Sequence, residues 1–370
     1  MGDAGRSIAP DSATREGSRR RFHTPRMQDP HAPEPLRDLP LDRIRAAADF
    51  LAGRVHRTPL LSSATAGRVL ESVKGVKIGD GTLYAKAEHL QLTGSYKVRG
   101  ATYRIASLSD AERAAGVIAI SAGNHAAAVA FASRLLSVHA VVVMPVGAVR
   151  SKVAACAGYG AEVVLEGTDT AEAWAAMERI RDARGLTFIH PFDHPVSIAG
   201  QGTVGLELVE DLPSVDVVVA GVGGGGLACG VAAAVKQLRP SARVYGVEPV
   251  GSDALRLGLA AGRPVPVRPV SVADGLNAPF AGEWTIPLAK RYLDDIVLLS
   301  DAEILSGVRF AAERMKQVLE PAGAAALAAV LHGRVPIRTG ERVAVVFSGG
   351  NVALDRFGSF VESAAPIAGL

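Results

Sequence analysis

From residue 113 onward the chain alternates short apolar runs with longer stretches of helical spacing, and this alternation restricts it to an α/β fold. Val117–Ile120, Val138–Met144, Ala161–Leu165 and Thr187–Ile189 read as strands. Helices are predicted between them over Asn124–Leu136 and Ser151–Ala157, and from a cap at Asp169 to Arg184, with Gly185 as the stop. After a loop rich in His and Pro, His190–Pro195, the pattern resumes: a strand over Val217–Ala220, a helix over Leu227–Leu238, then strands over Arg243–Val247 and Val343–Phe347. Upstream, Leu41–Leu51 has helical spacing and Thr82–Ala87 reads as a strand. No repeat with a period of about 20–50 residues is present. The pattern predicts two parallel-rich α/β units: a smaller one over 113–193, inserted into a larger one built from 41–112 and 194–370.

Composition narrows the class. Of the 370 residues, 48 % are apolar and only 5 % aromatic, which suits closely packed helices and strands. A formal net charge of +3 gives no reason to expect nucleic acid. Cys156 and Cys229 are far apart and lack metal-ligand spacing, so neither a disulfide framework nor a zinc site is expected. There is no secretory signal and no apolar run of about 18 residues, so no membrane partner is expected and the cytoplasm is the default location. Residues 1–40 are rich in Arg, Pro, Asp and Ser and read as a disordered tail. Within it, Arg19-Arg20-Arg21 is alternatively a phosphate-binding arm, and Met27 is a second candidate start. A transit peptide fits poorly with Asp3, Asp11 and Glu16.

Several motifs carry chemistry. In Thr93-Gly94-Ser95-Tyr96-Lys97-Val98-Arg99-Gly100-Ala101, a lysine stands between a Gly-Ser turn and a helix start. Small neighbours around a lysine suit a flat molecule lying against the backbone, although a solvated helix-start lysine reads the same way in isolation. Gly223-Gly224-Gly225-Gly226 follows an apolar strand and opens a helix. Exposed amides at a helix start attract a phosphate dianion, whereas the bland alternative is a flexible linker. The run lacks the Lys-Ser/Thr of a nucleotide P-loop. Ser121-Ala122-Gly123-Asn124-His125 lies at the C-terminal end of a strand, where open parallel sheets place ligands; read alone it is also a plain turn with an Asn cap. Ser348-Gly349-Gly350-Asn351 follows the last strand and in isolation is a tight turn. Glu248 closes a strand, and His190, Asp193 and His194 read as loop residues without metal spacing.

Together these motifs, in this order over about residues 41–351, resemble the threonine/serine dehydratase (ammonia-lyase) family of fold type II pyridoxal-phosphate (PLP) enzymes. The resemblance implies two α/β domains with PLP in the cleft between them. It implies that Lys97 carries the cofactor, with Tyr96 beside it. The loop Gly223, Gly224, Gly225, Gly226 would hold the phosphate, Asn124 the ring hydroxyl, and Ser348 the pyridine nitrogen. Ser121, Ala122, Gly123, Asn124 and His125 would grip the substrate carboxylate. Asp274-Gly275 and Glu320-Pro321-Ala322-Gly323-Ala324 also match, near the cofactor and along the cleft. In some relatives the residue matching Glu248 binds a divalent cation with an Asp six positions later; here that position is Ala254, which weakens the cation expectation. A Gln-Gly usual after the Asn-His is replaced by Ala127-Ala128, which bears on substrate positioning.

The resemblance further implies β-elimination of L-threonine or L-serine to a 2-oxo acid and ammonia, in a homo-oligomer (dimer or tetramer). A neutral hydroxyl at the ring nitrogen gives a weaker electron sink, which suits elimination, where a leaving group drains the charge. His125 and the Arg-Gly-Ala after the lysine separate the chain from the cysteine-synthase type. The short segment after Ser348 predicts no C-terminal regulatory domain. Three rivals stay open: an amino-acid racemase of the same fold, a dehydratase of a bulkier β-hydroxy amino acid, and a PLP-binding protein without turnover. Racemases resembling this chain carry a serine immediately before the Gly-Asn-His; here that residue is Ala122.

Overall fold

The computed structural model describes residues 38–367. Ten strands form two sheets. The six-stranded sheet contains β1 (Leu60–Ser63), β2 (Leu83–Lys86), β7 (Val217–Gly221), β8 (Arg243–Pro249), β9 (Asp295–Leu299) and β10 (Val343–Val346), in the order β1-β2-β10-β7-β8-β9. All its pairs are parallel except β1 with β2. The four-stranded sheet is wholly parallel, in the order β5-β4-β3-β6, from β3 (Val117–Ile120), β4 (Ala140–Met144), β5 (Glu162–Leu165) and β6 (Thr187–Phe188). The apolar strands β3, β4, β7 and β10 are buried along their whole length, as expected where helices cover both faces of a parallel sheet.

The predicted elements fall within a residue or two of the observed ones. Asp169 accepts from the Glu172 amide to cap the helix Thr170–Arg184, and Gly185 ends it at φ +63°. Periodicity did not disclose the helix Pro195–Asp211, whose Gly200, Gly202 and Gly205 lower its helix propensity. Packing explains them. A Cβ on Gly200 would lie 2.8 Å from the Arg99 carbonyl, and one on Gly205 2.7 Å from that of Val231. Three helices, Lys97–Ala106, Pro195–Asp211 and Gly226–Leu238, therefore approach backbone to backbone.

The tail expected through residue 40 falls mostly outside the described residues, but its last part is packed. Leu39 is fully buried, its carbonyl accepts from Gln237 Nε2 at 2.9 Å, and Tyr292 Oη donates to Asp38 at 2.5 Å. Among the described residues no helix is long and apolar enough to cross a membrane.

Below the lysine motif lies a buried ion network. The Arg99 guanidinium donates to both oxygens of Glu88, at 2.8 Å each, and to both of Glu207, at 2.6 and 3.0 Å. Lys86, fully buried, meets Glu207 at 2.9 Å and Asp211 at 3.0 Å. Burial opposes the charge on Arg99, and the two carboxylates more than offset it. Arg99→Leu would leave Glu88 without its guanidinium partner. It is expected to destabilise the fold by about 3–5 kcal/mol, read as a lowered denaturant midpoint at unchanged slope. A midpoint within error of wild type would rule out the network as the anchor of this helix.

Candidate active site

The C-terminal ends of strands from both sheets meet at one cavity of about 430 Å³. Ile120 through His125 reach it from the end of β3, Gly221 and the glycine run from the end of β7, and Ser348 from the end of β10. This is where open parallel sheets leave a crevice for ligands. The cavity brings together Tyr96, Lys97, Ser121, Ala122, Gly123, Asn124, His125, Gly223, Gly224, Gly225, Gly226 and Ser348, with Asp274, Gly275, Glu320 and Ala322 of the two further motifs; Glu248 is absent from its lining, as are Pro321, Gly323 and Ala324.

Lys97 opens the helix Lys97–Ala106 after a turn stitched to the end of β10. Tyr96 N donates to Ser348 O at 3.2 Å, and Gly350 N to Gly94 O at 2.9 Å. Gly94 sits at φ +71°, a conformation that favours glycine. The Lys97 Nζ donates to the Pro191 carbonyl at 2.7 Å. Burial pulls its pKa down to about 8, with Glu320 acting against the shift. The amine is thus close to the range in which it serves as a base at neutral pH.

The glycine run lines the same cavity. Gly225 lies at φ +97° and leads into the helix Gly226–Leu238, whose start no side chain caps. A Cβ on Gly224 would overlap the Phe192 ring, and one on Gly226 would come 2.6 Å from Gln201 Oε1 and 2.8 Å from the Phe192 carbonyl. Glycine is required here by close packing behind the loop, and the uncapped amides of a helix start attract an anion.

His125 is buried, and its Nε2 lies 2.8 Å from the Ile189 carbonyl. Burial, then the Lys97 charge, depress its pKa to about 3, so it is neutral; since a carbonyl only accepts, Nε2 carries the proton. Ser121 Oγ accepts from Gly123 N at 3.1 Å, and Ser348 Oγ donates to the Ala322 carbonyl at 3.3 Å. Asp193, read from sequence as a loop residue, accepts from the amides of Glu283, Trp284 and Thr285 and so ties its loop to the start of the helix Thr285–Tyr292.

Glu248 is occupied elsewhere. Its two oxygens accept from Leu255 N at 2.7 Å and Arg256 N at 3.0 Å, and burial raises its carboxyl to about 8. The described residues hold no group of three His, Cys, Asp or Glu able to bind a metal. Sequence reasoning missed Lys152, Trp174 and Phe280, which line the cavity, and gave no specific role to Asn351. Lys152 meets Asp274 at 3.5 Å across it. Nothing in a single sequence marks these residues, because each reaches the cavity through tertiary structure alone.

The fit to PLP is therefore good on structural grounds: one cavity holds a depressed-pKa amine, an uncapped helix start behind four glycines, and a neutral hydroxyl. The chain is 43 % identical over 315 residues to the L-threonine ammonia-lyase of Thermotoga maritima, covering 85 % of this chain and 76 % of that protein. It is 41 % identical to the catabolic L-threonine dehydratase of Escherichia coli, covering 86 % and 95 %. The structure of maize serine racemase superposes with a TM-score of 0.80 at 35 % identity, covering 86 % and 96 %. The family model for pyridoxal-phosphate dependent enzymes matches residues 52–349, and the chain belongs to that family.

Proposed function

We propose that the chain eliminates water from a β-hydroxy amino acid of the L-threonine or L-serine type, and that the released enamine takes up one water as it loses ammonia, so that the net products are a 2-oxo acid and ammonia. The observation that carries this reading is that the Lys97 amine, with its depressed pKa, and the glycine run line one cavity. It is supported by the similarity to the threonine ammonia-lyase and dehydratase described above. When bound, PLP supplies the electron sink that stabilises negative charge at the substrate Cα. Lys97 would hold the cofactor, and its Nζ as a free amine would take the Cα proton. The glycine run and the helix start hold the phosphate. Ser121 and the amides of Gly123–His125 orient the substrate carboxylate. Ser348 contributes a neutral hydroxyl at the ring nitrogen. A 2-oxo acid release assay across a panel of β-hydroxy amino acids tests the reading; no release from any member would refute it.

Dehydration is favoured over racemisation because Ala122 offers a methyl where a second proton-transfer group would have to stand. Chiral analysis of unreacted L-serine and L-threonine is expected to show oxo-acid formation far ahead of D-serine or D-allothreonine. Ala122→Ser is expected to raise the racemising side reaction. Comparable rates of the two reactions in the wild type would assign a racemase instead.

One observation favours a second reading, a bulkier β-substituent. In a chain with few aromatics, Trp174, His190, Phe192 and Phe280 line the same cavity. The rings of His190, Phe192 and Phe280 touch one another edge-on or tilted, with centroids at 4.6 Å for His190–Phe192 and 5.6 Å for Phe192–Phe280. Threo-3-phenylserine therefore belongs in the panel, and its kcat/KM relative to threonine decides between the two readings.

A further inference from the structure

Glu320, which lines the cavity, and Asn351, which the sequence left without a role, set the orientation of Asn124. Asn351 Nδ2 donates to the Thr93 carbonyl at 2.7 Å and to Asn124 Oδ1 at 2.8 Å. Asn124 Nδ2 in turn donates to Glu320 Oε1 at 2.6 Å. The direction of this chain is fixed by chemistry. A backbone carbonyl only accepts, so the NH₂ end of Asn351 must face Thr93 and Asn124. That presents a donor to Asn124, whose oxygen must answer it, and the NH₂ of Asn124 is thereby turned to Glu320. Neither amide can flip without breaking two bonds of the chain.

The surrounding glycines are shaped to this chain. A Cβ on Gly94 would overlap the Asn351 carboxamide, and one on Gly349 would overlap Glu320 Oε1 and come 3.2 Å from Asn124 Nδ2. The four members come from four segments around the cavity: the turn before Lys97, the first residue of the helix Asn124–Leu135, the residue before the helix Pro321–Leu331, and the loop after β10. Glu320 is 5 % exposed. Burial raises its carboxyl to about 7, the Asn124 bond lowers it, Asp274 raises it, and Lys152 and Lys97 lower it.

We propose that Glu320 and Asn351 are positioning residues that lock the Asn124 carboxamide in one orientation, so that its remaining amide hydrogen is held ready for the cofactor. This rests on the reading that Asn124 contacts bound PLP. Of the two amide hydrogens of Asn124, one is taken by Glu320 and the other is left for a ligand. A flipped Asn124 would present an oxygen there instead. Glu320 and Asn351 touch neither substrate nor cofactor in this account; they act through Asn124.

The test follows cofactor retention by the holoenzyme, read as the decay of its visible absorption on dialysis, with the band position recorded. Asn351→Ala and Glu320→Leu are each expected to speed cofactor loss by roughly tenfold, the weight of one hydrogen bond to a charged or buried partner. Glu320→Gln keeps an oxygen that can accept from Asn124 and is expected to stay within about threefold of wild type. In an Asn124→Ala background, Asn351→Ala is expected to add nothing, because its effect is routed through the missing carboxamide. An equal effect of Asn351→Ala in both backgrounds would overturn the proposal, as would retention in Glu320→Leu equal to wild type. If Asn124→Ala alone leaves retention and band position unchanged, the cofactor contact of Asn124 is wrong and the proposal goes with it. Thermal unfolding of each apo-variant separates these outcomes from loss of fold.

Discussion

Lys97→Ala is expected to abolish turnover, lowering kcat by at least about a thousandfold, and to release the yellow cofactor on dialysis. A positioned general base contributes roughly 10²–10⁴ in rate, and in the proposed reading the same amine would also tether the cofactor. The fold should survive, since the Nζ makes its hydrogen bond to a single carbonyl, that of Pro191, at 2.7 Å. Removing a half-buried amine also relieves the burial that pulls its pKa to about 8. The measurement pairs the visible spectrum before and after dialysis with single-turnover 2-oxo acid release. A variant that keeps its band through dialysis, or a wild type that stays colourless and inactive with added PLP, would show that Lys97 is not the attachment point.

The second large effect is expected at Gly224. Its Cβ position coincides with the Phe192 ring, so Gly224→Val must push either the ring or the loop aside. Because Phe192 is buried and stacked edge-on against His190 and Phe280, the loop is the softer partner. Its amides then leave the line of the helix start, and each charge-assisted bond lost from a phosphate weakens retention by about tenfold or more. Overpacking at this position costs about 1–3 kcal/mol, so the variant is expected to fold. The reason differs from one based on backbone freedom: within the run, it is Gly225, not Gly224, that has a positive φ. A Phe192→Ala change in the Gly224→Val background empties the contested space and is expected to restore part of the retention. Wild-type retention in Gly224→Val alone would place the phosphate elsewhere.

The sequence disclosed those parts of the molecule whose causes are local. Strands such as Val117–Ile120 and Val217–Gly221 announce themselves as apolar runs between turn signals, and the cap at Asp169 and stop at Gly185 mark a helix without reference to the rest of the chain. The lysine turn and the glycine run were visible for the same reason. Elements whose cause is tertiary were not. Pro195–Asp211 carries glycines that argue against a helix, and only the neighbouring helices explain them. The helix Pro321–Leu331 is buried on every side and has no amphipathic period to read. In the site, Glu320 could be matched by motif, but its bond to Asn124 could not, since the two meet only when the sheets are assembled. The same holds for Lys152, Trp174 and Phe280.

The place of β10 has a consequence for how the protein is made. It lies between β2 and β7, pairing Val346 with Lys86 and Val343 with Val217, yet it follows both, and β8 and β9 as well, in the sequence. On the ribosome, β2 and β7 therefore emerge long before the strand that joins them. At about 5–20 residues per second, each waits with an open edge for many seconds. Open edges of apolar strands are templates for pairing with the wrong chain. The four-stranded sheet has no such gap, because its strands all lie between Val117 and Phe188 and can close early. Ser348, which lines the cavity, follows just behind β10, so the nascent chain cannot complete that cavity until β10 has emerged.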